Sequence, residues 1–309
     1  MDNLGAHMSV SGGLHNAFGE AQAAGAHVVQ IFSKNSNQWA ARPLEAAAVK
    51  AWLDAWQSGD VWQAVVHDSY LINLGSPDDA LWERSIAAFE HELERCAMLR
   101  IPYLVMHPGA HMKMGEDFGV QRIAAAFNRI CHEMPDNPTT VLIENTAGQG
   151  TCLGYKFGHI ADIMGLLAEP ERFGVCLDTC HALAGGYDFR SPEGYAAMVQ
   201  EIDDLIGCDK IRAFHLNDSK KDCCSRVDRH EHIGQGFVGL EPFRFLMNDT
   251  RFFDRPMCLE TPKTGDMDRV NLAALRGLRD EAVQKKVSAA VKKAATAARK
   301  SRASAGVES

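Results

Sequence analysis

Six apolar, strand-like runs of this chain each stop at a residue able to hold a metal ion. They end at His67, His107, Glu144, Asp178, His215 and Glu260, after stretches such as Val141-Leu142-Ile143 and Val175-Cys176-Leu177. Polar loops between them add His181, Asp228 and His230. One carboxylate or imidazole at a strand end is an ordinary turn residue, and Asp178 alone reads as a helix N-cap with His181 as a bystander. Six in succession need another explanation, because clustered carboxylates and imidazoles repel one another or need partners unless cations neutralise them. The donor set of five imidazoles and four carboxylates suits zinc and its neighbours, whereas an all-oxygen set would point to magnesium or calcium. Nine donors are more than one ion needs. Three zinc ions would outweigh the four carboxylates and leave a positive centre for an anionic substrate such as a phosphodiester.

The elements that must position these residues follow a regular rhythm. Strands are predicted at 4–7, 27–32, 62–66, 102–106, 139–143, 174–177, 211–214 and 256–259, with helices at 14–24, 43–56, 118–132, 156–167, 192–206 and 240–247 between them. A further helix, between the strands at 62–66 and 102–106, is the clearest, with Trp82, Ile86, Phe89, Leu93 and Cys96 on one face. Ser76 is placed to cap it, Pro77 to open it, and Asp78 and Asp79 to complement its positive end. Eight strand-then-helix units make a (β/α)₈ TIM barrel, a fold whose active sites lie at the C-terminal ends of the strands.

Composition bounds the function classes. The 309 residues carry a formal charge of −8, which argues against a generic nucleic-acid binder with a basic face. Bound cations would reverse that argument locally. The nine cysteines form no C-x-x-C pair and read as reduced thiols. With no apolar run of membrane-spanning length and no signal-peptide pattern, a soluble, cytoplasmic monomer is expected. The barrel is expected over residues 1–284. Beyond it the composition turns to Ala, Lys, Arg and Ser, and residues 285–309 read as a basic, solvated tail, partly helical or disordered, with weak polyanion contact as the functional alternative.

Several motifs are decoys. Gly234-x-Gly236-x-x-Gly239 matches a dinucleotide fingerprint in letters but follows a polar loop instead of a buried strand. His107 and His111 are spaced like a helical metal pair, yet Pro108-Gly109 breaks the helix. His230 and His232 would both project the same way from an extended segment. Cys180 reads as a packed neighbour.

Taken together, the stretches His67-Asp68-Ser69-Tyr70-Leu71-Ile72-Asn73-Leu74-Gly75, Ile143-Glu144-Asn145-Thr146-Ala147-Gly148, Leu177-Asp178-Thr179-Cys180-His181, His215-Leu216-Asn217-Asp218-Ser219-Lys220, Ser225-Arg226-Val227-Asp228-Arg229-His230 and Glu260-Thr261-Pro262 resemble the endonuclease IV family of apurinic/apyrimidinic endonucleases. The resemblance implies three zinc ions per chain, with manganese or another divalent ion able to replace one. His67, His107 and Glu144 would hold the first. Glu144, bridging, would hold the second with Asp178, His215 and Glu260, and His181, Asp228 and His230 would hold the third. Glu144 is thereby the implied catalytic residue, and a metal-bridging hydroxide the implied nucleophile. The implied reaction is cleavage of double-stranded DNA 5′ to an abasic site, leaving a 3′-hydroxyl and a 5′-deoxyribose phosphate, with 3′-end trimming besides. Lys34, Asn35, Gln38, Tyr70 and Leu71 match DNA-contacting positions, and Asn37 stands where the family often places an arginine, implying a weaker wedge. A barrel sugar isomerase or epimerase, and a lesion-binding protein that does not cut, are the alternatives.

Overall fold

β-branched and aromatic residues crowd the predicted strands, and in the computed structural model, which describes residues 1–304, these runs pair in parallel. The strands are β1 (Leu4–His7), β2 (Val28–Phe32), β3 (Gln63–His67), β4 (Tyr103–Met106), β5 (Thr140–Glu144), β6 (Phe173–Asp178) and β7 (Ile211–His215). After a small antiparallel hairpin of β8 (Asp218–Ser219) and β9 (His230–Glu231), β10 (Met257–Leu259) closes the barrel between β7 and β1. The helices are α1 (Asn16–Ala24), α2 (Ala46–Ser58), α3 (Asp79–Met98), α4 (Glu116–Glu133), α5 (Phe157–Gly165), α6 (Thr179–Gly185), α7 (Pro192–Leu205), α8 (Leu240–Met247), α9 (Met267–Gly277) and α10 (Glu281–Ser304). This is the expected TIM barrel. Among the described residues no helix is long and apolar enough to cross a membrane.

The pleat of each strand explains the position of the site. Side chains two residues apart share a face, so an inward apolar residue is followed by an inward ligand candidate. Val65, Val105, Leu142, Cys176 and Ala213 pack together as one layer inside the barrel. Two residues on from each stand His67, His107, Glu144, Asp178 and His215. Cys258 precedes Glu260 in the same way. A register shift between Val175 and Cys176 brings Asp178 level with His215. Gly5, on the same inward face of β1, has no room for a side chain, because a Cβ there would lie 1.8 Å from the Val28 carbonyl oxygen.

Two helix starts differ from expectation. Asp78, not Ser76, caps α3: its carboxylate accepts from the Leu81 amide at 2.8 Å, while Ser76 Oγ accepts from the Asp78 amide at 3.2 Å. The helix that was expected from Pro43 begins at Ala46.

The larger difference is at the C-terminus. The segment expected as a solvated tail forms α10, and Val287, Val291 and Ala295 bury themselves against Val28, Trp62 and Cys258, closing the N-terminal end of the barrel. The four-residue spacing of Val283, Val287, Val291 and Ala295 is an apolar helix stripe, masked in composition by the lysines on the opposite face. Residues 305–309 lie outside the described part. Val291→Ala should lower the unfolding free energy by roughly 1.5 kcal/mol, read from the urea midpoint; an unchanged midpoint would show that the barrel floor does not depend on this helix.

Candidate metal centre

Glu144 and Asp178 are fully buried carboxylates at the barrel mouth. Isolated charges at such depth are costly, and the structure surrounds both with imidazoles. Glu144 Oε2 lies 3.2 Å from His67 Nε2 and 3.4 Å from His107 Nε2. Its other oxygen, Oε1, lies 2.9 Å from His215 Nδ1 and 3.2 Å from His181 Nδ1. Asp178 serves two purposes. Its Oδ1 accepts from the His181 amide at 2.8 Å, capping α6, while Oδ2 faces His230 Nε2 at 3.7 Å and His215 Nδ1 at 3.9 Å.

Partners on the far nitrogens orient the rings. His67 and His230 place Nδ1 on the carbonyls of Asp68 and Glu260, at 3.0 and 3.1 Å, and so present Nε2 to the centre. His181 has Nδ1 2.9 Å from the Asn145 carbonyl, leaving Nε2 beside Asp228 Oδ2 at 3.2 Å. For His215 the polarity is reversed: Gln30 Oε1 meets Nε2 at 2.7 Å, and Nδ1 points inward. Such outer hydrogen bonds set which nitrogen is free for a cation.

The electrostatics follow from this crowding. Burial pushes the Glu144 carboxyl up, but His215, His107 and His181 overcome it and hold it well below the usual carboxylate range. Glu260 is likewise depressed despite burial, by His215 and His7. Burial presses the His181 imidazole down, yet Asp178, Asp228 and Glu144 carry it well above its ordinary value. Despite burial, His67 and His215 are likewise held above their ordinary value, so that protons are favoured at these three rings beside the carboxylates.

A divalent cation fits where those protons sit. His67, His107 and Glu144 present ligand atoms within 4.8 Å of one another, as do Glu144, Asp178, His215 and Glu260, and also Asp178, His181 and His230. Asp228 Oδ2 and Oδ1 face His181 and His230 at 3.2 and 3.4 Å. Apart from these close approaches of Asp228, the buried Nε2 atoms of His181 and His230 make no well-aligned hydrogen bond. The structure therefore brings all nine candidate ligands to one mouth and leaves unsatisfied donor atoms aimed into it. His232 turns away, to Asn271 and Thr264. Cys180, whose Sγ meets the Arg229 carbonyl at 3.7 Å, also lies close to Asp228 and His230.

Four further residues, absent from the ligand pattern in the sequence, shape the centre. Gln30 donates to Glu260 Oε1 at 2.5 Å while meeting His215, tying two candidate ligands together. His7 ends β1 as His67 ends β3, with Nδ1 3.8 Å from Glu260, so the strand-end signal alone would have found it. Asn217 donates to Asp178 Oδ2 at 2.6 Å and accepts from the Glu260 amide at 2.8 Å. Asn145 donates to the Asp178 carbonyl at 3.0 Å and accepts from its amide at 2.7 Å. Short polar residues one or two places beyond a strand-end ligand carry no sequence signal apart from the ligand itself.

The glycine-rich decoy has a structural role. The Asp218 carboxylate accepts from the Val238 amide at 2.8 Å and the Gly239 amide at 3.2 Å, and a Cβ on Gly236 would lie 2.5 Å from Asp218 Oδ1. The loop folds around a carboxylate, which leaves no place for a phosphate.

On the rim, Tyr70 is 62% exposed and rests edge-on against Phe32 with ring centroids 5.3 Å apart, and Leu71 is half-buried beside it. Asn35, Asn37 and Gln38 are exposed in the loop after β2, where the Asn37 amide donates to Asn35 Oδ1 at 2.9 Å. Lys34 is not on the rim. Its ammonium is buried 3.5 Å from Glu92 and donates to the Trp39 carbonyl at 3.3 Å. The buried Glu92 carboxylate needs a cation more than the loop needs an exposed one, so the expected nucleic-acid contact at Lys34 is corrected to a structural ion pair.

The chain matches the family described as Xylose isomerase-like TIM barrel over residues 18–300. The probable endonuclease 4 of Chloroflexus aurantiacus (strain ATCC 29366 / DSM 635 / J-10-fl) is 53% identical over 280 residues, covering 90% of this chain and 98% of that protein. That of Geobacter sulfurreducens is 50% identical over 279 residues, covering 90% and 94%. The crystal structure of endonuclease IV from Thermus thermophilus is similar with a TM-score of 0.80 at 35% identity, covering 89% of this chain and 98% of that one. A D-tagatose 3-epimerase-like protein shares the fold alone, at 17% identity and a TM-score of 0.68, covering 93% and 100%.

Lys34→Ala leaves the Glu92 carboxylate buried without its ammonium partner. The expected loss is roughly 3 kcal/mol of folding stability, measured by chemical denaturation, and a variant as stable as the parent would contradict the ion-pair role.

Proposed function

The chain belongs to the endonuclease IV family of abasic-site deoxyribonucleases, and from that premise we propose that it hydrolyses the phosphodiester 5′ to abasic sites in duplex DNA. The products are a 3′-hydroxyl and a 5′-deoxyribose phosphate, and the same chemistry trims blocked 3′ ends. The observation that supports this reading best is the pair of fully buried carboxylates, Glu144 and Asp178, ringed by five imidazoles at the mouth.

In this proposal three zinc ions would be held by His67, His107 and Glu144, by Glu144, Asp178, His215 and Glu260, and by His181, Asp228 and His230. When bound, such ions lower the pKa of water and neutralise charge on the phosphate oxygens. The chain's own part is positioning. Glu144 offers one oxygen to the His67–His107 side and the other to His215, so a single buried carboxylate spans two groups of ligands. Gln30 holds His215 and Glu260 in one orientation, and Asn145 and Asn217 fix Asp178 at its backbone and its side chain. Preorganised ligands of this kind need no rearrangement when charge develops.

At the rim, Tyr70 offers an exposed aromatic face and Leu71 an apolar neighbour. Such side chains act as wedges against a base step, and extruding a nucleotide costs least where no base is paired. Asn35, Asn37 and Gln38 add uncharged hydrogen-bonding groups beside them. With Asn37 uncharged and Lys34 turned inward, the β2 loop brings no exposed cation from these positions, so the wedge works by shape and by the positive charge of the centre.

A duplex carrying a tetrahydrofuran abasic analogue should be nicked by the metal-loaded protein to leave an extendable 3′-hydroxyl. Glu144→Gln should slow that cut by about a thousandfold or more, given the several kcal/mol expected of such a centre. An intact duplex after incubation with metal-loaded wild-type protein would refute the proposal.

A further inference from the structure

Helices in this barrel run antiparallel to the strands, so the C-terminal half of α2 and the start of β4 lie at the face opposite the metal-ligand cluster. There α10 passes over a cavity of about 300 Å³ lined by Leu53, Trp56, Gln57, Arg100, Arg299 and Arg302. Three guanidiniums share it, contributed by two separate parts of the chain. Each carries five N–H donors, yet the contacts they make are few and all to neutral groups. Arg100 Nη1 donates to the Arg302 carbonyl at 2.6 Å, Arg299 Nη2 to the Gly59 carbonyl at 3.4 Å, and Arg302 Nη1 to the Trp62 carbonyl at 3.4 Å. Among the described residues none of the three forms an ion pair with a carboxylate, in a chain whose formal charge is −8.

The local geometry keeps these charges together. Arg302 lies over the Trp56 ring, 4.1 Å from its centroid. Arg100 follows the end of α3 with φ 55°, a left-handed conformation in which glycine or asparagine is the ordinary choice. Burial, and next to it the charge of Arg299, push the Arg302 guanidinium down to about 10, the mark of a cation short of a counter-charge.

We propose that this cavity is an anion site that takes a phosphate group, formed by Arg100, Arg299 and Arg302 against Trp56. Guanidinium forks match phosphate oxygens in bidentate geometry. A cavity of about 300 Å³, at the lower end of small-molecule pockets, has room for a phosphate ester and not only for the bare ion, with the half-buried Leu53 meeting its organic part. The phosphate comes either from a free phosphate ester or from the backbone of undamaged nucleic acid. The site is separate from the metal centre.

The test uses the full-length, metal-loaded protein and adenosine monophosphate as the probe, followed by calorimetry. The double variant Arg299→Gln/Arg302→Gln should bind it at least tenfold more weakly than wild type, with abasic-site cleavage unchanged. Arg100→Gln, outside α10, should show the same loss, which separates the site from any failure of α10 to dock. Displacement by an undamaged duplex of the binding that Arg100→Gln removes would identify nucleic-acid backbone as the source; persistence of that same binding against the duplex would identify a free phosphate ester. Equal affinity in wild type and Arg100→Gln, or no binding of either probe or duplex, would overturn the proposal.

Discussion

Two carboxylates with no solvent exposure, Glu144 and Asp178, sit at the mouth of the barrel, and the rest of the site is arranged to make that tolerable. A buried carboxylate is stable only beside positive charge and good hydrogen bonds. Here five imidazoles face the two acids, and Asn145, Asn217 and Gln30 hold acids and rings in place. Divalent cations bound there would meet the same demand, with the imidazoles as neutral ligands. A centre loaded with such cations would let an acidic chain act on a phosphodiester, because the charge of the centre and not that of the whole chain would meet the phosphate.

The barrel makes this concentration of charge possible by a simple repeat. Each ligand candidate on a strand stands two residues beyond an inward apolar side chain, so the pleat places it above a sealed layer of Val65, Val105, Leu142, Cys176 and Ala213. Beneath that layer α10 closes the floor with Val287, Val291 and Ala295. Polar mouth, apolar middle and helical floor are three levels of one tube, and the apolar levels keep water from reaching the carboxylates from below.

That repeat is also why the strands and their terminal ligands could be read from residues alone: a period-two apolar run that ends on His, Asp or Glu is visible in the letters. What could not be read was decided by partners far away in sequence. Lys34 turns inward because Glu92, on α3, lies buried beside it. His230 and His232 are equivalent by pattern, and only the pairing of β9 with β8 and the contacts of His232 with Asn271 separate them. Asp178 is both the helix cap and an acid of the centre, because its two oxygens face different partners. The stripe on α10 was present in the sequence, hidden by the lysines around it.

The number of cations that these nine ligands hold decides what chemistry the mouth of the barrel can do. Elemental analysis of the purified full-length chain, exchanged into metal-free buffer to remove loosely bound ions, measures this directly. Three divalent ions per chain, zinc predominating, is the result expected from the arrangement around Glu144 and Asp178; two ions or fewer would contradict it.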